Sequence, residues 1–138
     1  MALILVLDDE KDACELMERV LSPAHEVVSF TEEDEAIQYV KDNPVDLAIL
    51  DIKLKKMSGV DVLDVLRKAR PEVKALMLTG YPTLKTAEQA ITLGAYDYLT
   101  KPLDVDHLEA KVEEALSPEG RIREKETGDL SDDLSPSE

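Results

Sequence analysis

The sequence predicts a doubly wound α/β fold, and three observations carry that reading. Five short β-branched or leucine-rich runs alternate with five amphipathic stretches at helical spacing. Two of the runs, "LILVL" and "DLAIL", are apolar almost throughout, as strands buried on both faces of a parallel sheet should be. Chain breakers fall between the alternating segments, at Ser22-Pro23, Asn43-Pro44, Arg70-Pro71 and Gly94. Alternating elements imply a parallel sheet with helices on both faces, and right-handed crossovers leave few ways to order it. A five-stranded, flavodoxin-like order 2-1-3-4-5 is the expectation.

Each element has its own signal. The first strand is Leu3–Leu7, and the helix after it places Ala13, Leu16, Met17, Val20 and Leu21 on one face. The second strand is Glu26–Phe30, followed by a weaker helical pattern over Glu32–Lys41 with Thr31 as its N-cap. The third strand, Asp46–Leu50, leads through a short loop to a helix over Gly59–Arg70, capped by Ser58. The fourth strand is Ala75–Thr79, and its helix, Thr83–Leu93, closes at Gly94, a residue suited to a left-handed cap. The fifth strand is Tyr96–Thr100, and the last helix carries Val105, Leu108, Val112, Ala115 and Leu116 on one face. These elements make one domain over residues 1–118. Residues 119–138, "EGRIREKETGDLSDDLSPSE", lack apolar periodicity and are read as an acidic, disordered tail or the stump of a linker.

Composition narrows the function. With 31 acids against 16 bases and a net charge of -15, nonspecific binding to nucleic acid or to an anionic membrane surface is disfavoured. No apolar run approaches the roughly 20 residues that span a bilayer. The start, "MALILVL", has no basic region and reads as a strand. The single cysteine, Cys14, has no internal partner and suits a reducing compartment, so a cytoplasmic location is expected. Cys14 is expected beside the apolar face of the first helix, and Tyr96 in packing. His25 and His107 are expected at the surface, since neither has a metal-ligand partner at suitable spacing.

In open α/β sheets, ligands bind beyond the carboxyl ends of the strands. Strand one ends at Asp8, Asp9 and Glu10, strand three at Asp51, strand four at Thr79, and strand five at Lys101 before Pro102. Three aspartates in one small area repel: at about 4 Å and an effective dielectric near 20, each pair costs roughly 4 kcal/mol. Either one is protonated or a cation sits among them. An oxygen-only donor set suits a hard ion such as Mg²⁺, which keeps waters and often a phosphate in its shell. Lys101 and Thr79 are suited to hold a phosphoryl group, by charge and by hydroxyl. Asp51 can then act as a nucleophile toward phosphorus.

The motifs "LVLDDE", "LAILDIKLKKMSGVDVL", "LMLTGY" and "GAYDYLTKPL" together resemble the receiver domain of bacterial two-component response regulators, over about Met1 to Leu116. Around Thr79 and Tyr98 the chain looks most like receivers of transcriptional activators built on an AAA+ ATPase domain. The resemblance implies that Asp51 is the phosphoacceptor, and that Asp8 and Asp9 hold Mg²⁺ with Asp51 and the Lys53 carbonyl. Asp9 is the expected direct ligand, with Asp8 acting partly through water. It implies that Thr79 follows the phosphoryl group, that Lys101 binds it, that Lys101–Pro102 is cis, and that Tyr98 is the aromatic switch. The donor would be a sensor histidine kinase or phosphotransfer protein. The output would be an altered face of the fourth helix, fifth strand and fifth helix, offered to a downstream protein or effector domain, or to a second copy in a homodimer. The domain would then catalyse its own phosphorylation and dephosphorylation.

The chain departs from the family's loop pattern. Leu54 stands where Met is usual and Lys55 where Pro is usual, though Gly59 is in place. Lysine restores an N–H and removes a fixed φ, so a less rigid loop is expected. Lys53 and Tyr81, each two residues beyond a site residue, are candidates to tune phosphoryl lifetime; the alternative is that both simply face solvent. A phosphohydrolase of the haloacid dehalogenase type also uses a strand-end Asp, but expects a second Asp where Lys53 stands.

Overall fold

Apolar strands joined by amphipathic helices can bury both faces of a sheet only by placing helices on each side, and this is the arrangement in a computed structural model, which describes residues 1–117. The elements are β1 (Leu3–Leu7), α1 (Lys11–Leu21), β2 (Glu26–Phe30), α2 (Glu33–Asp42), β3 (Leu47–Asp51), α3 (Gly59–Ala69), β4 (Lys74–Thr79), α4 (Leu84–Thr92), β5 (Asp97–Thr100) and α5 (Val105–Leu116). All pairings are parallel, in the order β2-β1-β3-β4-β5. The proposed tail, 119–138, lies outside the described residues.

Side chains alternate across the central strands, as the two-residue period requires. Leu5, Leu7, Ala48, Leu50, Ala75 and Met77 face one core, completed by Ala36 and Val40 of α2, Leu63 and Leu66 of α3, and Ala90 of α4. Ile4, Val6, Leu47, Ile49, Leu76 and Leu78 face the other, completed by Cys14 and Met17 of α1 and by Leu108 and Val112 of α5. β3 and β4 are buried along their whole length, because each lies between two other strands and under helices on both sides.

Strand boundaries differ from the expected ones by a residue. β3 begins at Leu47, one residue later than expected, and the Asp46 carboxylate before it accepts the Leu3 N–H at 2.9 Å. It extends through Asp51, which pairs in register with Leu78. β5 begins at Asp97, one residue later than expected. Thr31 is not the cap of α2: Glu32 occupies that position and makes no side-chain cap bond. Ser58 does cap α3, accepting the Asp61 N–H at 3.2 Å. Gly94 has φ +85°, a left-handed conformation that ends α4 at no Cβ cost. Gly59 is demanded by proximity, because a Cβ there would collide with the backbone carbonyl of Asp51. That close approach seats the start of α3 directly against the end of β3.

Arg67 on α3 and Arg70 at its C-terminal cap tie neighbouring helix ends, whose carbonyls have no partner within their own helices. Arg67 donates to the carbonyls of Leu93 (2.9 Å) and Gly94 (2.7 Å) after α4. Arg70 donates to those of Val40 (3.2 Å) and Lys41 (3.0 Å) in α2.

Candidate functional site

The register of the sheet sets the site. Leu7 pairs with Leu50, so the residues that follow, Asp8 just past β1 and Asp51 at the end of β3, come side by side at the carboxyl edge of the sheet. One oxygen from each of Asp8, Asp9 and Asp51 can be chosen so that all three lie within 4.8 Å of one another. Thr79 pairs with Thr100, which brings Lys101 to the same edge, and the Lys101 N–H donates to the Thr79 carbonyl at 2.7 Å. The Lys101–Pro102 peptide is cis.

Burial and charge make this cluster unusual. Asp8 is 0% exposed and Asp51 5%. The Lys101 ammonium stands 2.9 Å from Asp8 Oδ2, 3.4 Å from Asp51 Oδ2 and 3.6 Å from Glu10 Oε1. Asp8 Oδ1 accepts the Glu10 N–H at 2.9 Å, so both oxygens of Asp8 are engaged. Asp9 is half-buried and lines a cleft of about 580 Å³ together with Glu10, Asp51, Lys53, Gly80, Tyr81, Lys101 and Pro102. Burial, and then the Asp8 charge, push the Asp51 carboxyl up to about 6, against the pull of Lys101 and of the Lys53 N–H. Burial draws Lys101 down, but its bond to Asp8 and the charges of Asp8, Asp51 and Glu10 outweigh that and hold its ammonium above the usual lysine range.

One cation among three clustered carboxylates leaves the site short of positive charge. Its donors are all oxygens, which suits a hard divalent cation. The residues present therefore fit a Mg²⁺ ion beside Asp51.

Thr79 is buried, with its hydroxyl accepting the Tyr81 N–H at 3.0 Å. Tyr98 is half-buried, and its hydroxyl is 2.7 Å from Thr86 Oγ1 and accepts the Thr83 N–H at 3.3 Å. Thr83 and Thr86 form the capping box of α4, so Tyr98 is tied to the first turn of that helix. Lys53 and Tyr81 touch: the ammonium lies 4.3 Å from the centre of the ring, at the mouth of the cleft.

Other sequence expectations fared unevenly. Cys14 is buried, its thiol donating to the Asp8 carbonyl at 3.3 Å, and burial with the nearby Asp8 charge pushes it up to about 11. A thiol so rarely ionised is a poor nucleophile. Tyr96 packs against the α1/α5 core. His25 is not a surface residue: its side chain is 9% exposed and meets Glu113 at 2.7 Å and the Ala2 N–H at 3.2 Å. It was misread because a histidine in a turn carries no periodicity to mark an inward face. Thr86 was missed for want of any motif. Glu33 was missed among four acids of "TEEDE", although its spacing from buried Ala36 and Val40 places it on the inner face of α2.

The family model for the response regulator receiver domain matches residues 4–113. The chain belongs to that family. It is 33% identical over 115 residues to the transcriptional regulatory protein ZraR of Escherichia coli, covering 83% of this chain and 26% of that protein. It thus spans about a quarter of the curated relative's length. Among solved structures, a CheY-like receiver domain protein from Methanospirillum hungatei superposes with TM-score 0.82 at 27% identity, over 92% of this chain and 98% of that one. A response regulator from Burkholderia pseudomallei, whose structure carries a phosphorylated aspartic acid, a calcium ion and citrate, gives TM-score 0.76 at 26% identity, over 99% and 76%. The receiver domain places the chain in two-component signalling. Among the described residues no helix is long and apolar enough to cross a membrane.

Proposed function

We propose that this receiver domain accepts a phosphoryl group on Asp51 from a phosphohistidine donor and converts it into a changed surface around α4, β5 and α5. The observation that carries the reading is the buried Asp8–Asp51 pair sharing the Lys101 ammonium beside half-buried Asp9, at the carboxyl edge of the sheet. That arrangement suits a carboxylate built to receive an anionic group, and it resembles the setting expected of the family.

In this reading an Asp51 oxygen attacks phosphorus, the P–N bond to the donor histidine breaks, and the imidazole takes a proton. Lys101 pairs with the incoming oxygens, and the Thr79 hydroxyl donates to one of them. Asp9, Asp51 and the Lys53 carbonyl would hold Mg²⁺, with Asp8 acting partly through water since both its oxygens are already bonded. Bound there, the ion would offset the crowded negative charge and steady the phosphoryl oxygens.

Thr79 leads toward the switch. A phosphoryl group that draws its hydroxyl away from the Tyr81 N–H disturbs the β4–α4 loop, and Tyr98 is bonded to the next turn of that segment. Leu84 and Ile91, 75% and 69% exposed and seven residues apart on one side of α4, supply an apolar surface for an effector or a second copy. The stacked Lys53 and Tyr81 line the cleft beside Asp51 and would slow the water that removes the group.

Incubation with acetyl phosphate and Mg²⁺, followed by mass spectrometry, tests the assignment. One added phosphoryl group is expected, and Asp51→Asn should abolish it. Modification that survives the substitution would place the acceptor elsewhere.

A further inference from the structure

The loop between β3 and α3 carries Lys53 past Asp51, and its backbone is held at two places. At its root the Ile52 N–H donates to the Leu78 carbonyl at 3.0 Å, the Lys53 N–H to Asp51 Oδ1 at 3.2 Å, and the Gly59 N–H to the Ile52 carbonyl at 2.7 Å. At its crown, a carboxylate arrives from another element. Glu33 Oε2, from the first turn of α2, accepts the Lys56 N–H at 2.7 Å and the Met57 N–H at 3.2 Å. Lys53–Lys55 are suspended between these anchors.

Three features set Glu33 apart from an ordinary acid at a helix start. It is 1% exposed, whereas the side chain of Asp34 beside it is 80% exposed and that of Glu32 41%. The helix dipole favours acids in a first turn but does not require them to be buried. Its second oxygen, Oε1, is buried with no hydrogen-bond partner, a costly arrangement that a chain keeps only for some return. Burial pushes this carboxyl up, yet the N–H groups of Lys56, of Glu33 itself and of Met57, with the Lys56 ammonium, outweigh that and hold it below the usual range, so it is ionised. The loop itself contains no proline to fix its course.

We infer that Glu33 is a positioning residue for the phosphoacceptor loop, gripping Lys56 and Met57 so that the Lys53 backbone is fixed beside Asp51. The inference rests on the receiver reading above, in which the Lys53 carbonyl serves the metal. Groups that orient a metal's ligands typically set its affinity within ten- to a hundredfold. Glu33 therefore tunes Mg²⁺ binding from a helix that contributes no ligand.

The test compares wild type, Glu33→Gln, Glu33→Asp and Glu32→Gln in the full chain, by calorimetric titration with Mg²⁺ alone and by NMR-detected amide exchange. Glu33→Gln should weaken Mg²⁺ binding roughly tenfold and speed exchange at Lys56 and Met57 while leaving β1, β3 and β4 protected. Its phosphorylation by acetyl phosphate should return to within about twofold of wild type at saturating Mg²⁺, because the nucleophile is untouched. Glu33→Asp keeps the charge but loses reach, so it should weaken binding too, which separates position from electrostatics. It also serves as the deciding variant if Glu33→Gln does not fold. Glu32→Gln should match wild type. Unchanged Mg²⁺ affinity in both Glu33 variants, or unchanged exchange at the two amides, would overturn the positioning role alone. A wild-type chain that neither binds Mg²⁺ nor takes up phosphate would overturn the receiver reading, and this role with it.

Discussion

At the carboxyl edge of the sheet, Asp8 and Asp51 are 0% and 5% exposed and share the Lys101 ammonium. At the amino edge, His25 before β2 pairs at 2.7 Å with Glu113 of α5, whose side chain is 62% exposed. With Nδ1 accepting the Ala2 N–H, Nε2 is the ring nitrogen that donates to Glu113. Both edges have a nitrogen base, a carboxylate and a backbone group within bonding distance. They differ in what happens when one partner leaves. Water can reach Glu113 and replace the lost bond, whereas it cannot readily reach Asp8. The amino edge is therefore a structural tie, and the carboxyl edge is a buried charge cluster with more carboxylates than cations.

Removing Lys101 should break that comparison most severely. Lys101→Met leaves Asp8 and Asp51 facing each other with no cation, and stripping one partner from a buried pair costs about 3 kcal/mol or more. Phosphorylation by acetyl phosphate should fall by roughly a hundredfold, as expected when a charge that stabilises a phosphoryl group is lost. Urea unfolding and the rate of mass gain measure the two effects. A variant as stable as wild type would mean that the carboxyl edge is better solvated than its exposures suggest.

The second effect is one of pH, in the metal-free protein. The Asp51 carboxyl is raised from its ordinary value of 3.8 to about 6, so folding favours its protonated form. Such a group costs the fold most above pH 6, where it is ionised in both states, and the cost fades as pH falls through that range to below about 4. The shift corresponds to about 3 kcal/mol as an upper bound. Asp51→Asn in EDTA should accordingly be more stable than wild type at pH 8, with the gap closing toward pH 4. Thermal melts across that window measure it. A gap that does not depend on pH would remove the charge argument.

How much of this was legible beforehand follows from the same contrast. The strands, their order and the candidate residues gathered at their ends were readable, because a buried parallel strand needs continuous apolar residues and its end is where an unexpected acid stands out. Asp8, Asp51 and Lys101 declare themselves at such ends. Residues acting through long-range side-chain contacts were not readable. Glu33 reaches a loop 23 residues away, and His25 reaches Glu113 across 88 residues. Nothing local distinguishes them from surface residues except, for Glu33, its inner helical position. The N-cap of α2 was misplaced for a related reason, since in a run of acids several residues can open a helix.

The amino edge should yield smaller numbers. His25→Ala removes a largely buried ring and its bonds to Glu113 and Ala2, but leaves both partners able to meet water. A loss of about 1 kcal/mol is expected, as for a typical hydrogen-bonded pair, with phosphorylation within about twofold of wild type. A loss as large as that of Lys101→Met would erase the distinction between the edges.

The finest probe separates location from charge. Thr86 lies near the carboxyl edge, yet its bonds to Thr83 and Tyr98 are between neutral hydroxyls and peptide groups. If buried charge is what makes that edge costly to disturb, Thr86→Val should resemble the His25 variant and cost about 1 kcal/mol through the lost cap and the freed tyrosine hydroxyl. Tyr98→Phe should cost about as much alone and less in the Thr86→Val background, since the two variants share the Thr86–Tyr98 bond and only the Thr83 N–H bond to the tyrosine is left to lose. That non-additivity, read from urea midpoints, would show the Thr86–Tyr98 bond to be a link of modest strength. The proposed switch would need such a link: strong enough to hold one rotamer of Tyr98, and weak enough to be displaced when Asp51 is modified. Additive losses would mean that the Thr86–Tyr98 bond does not couple the tyrosine to α4, and would count against Tyr98 as the link in the proposed switch.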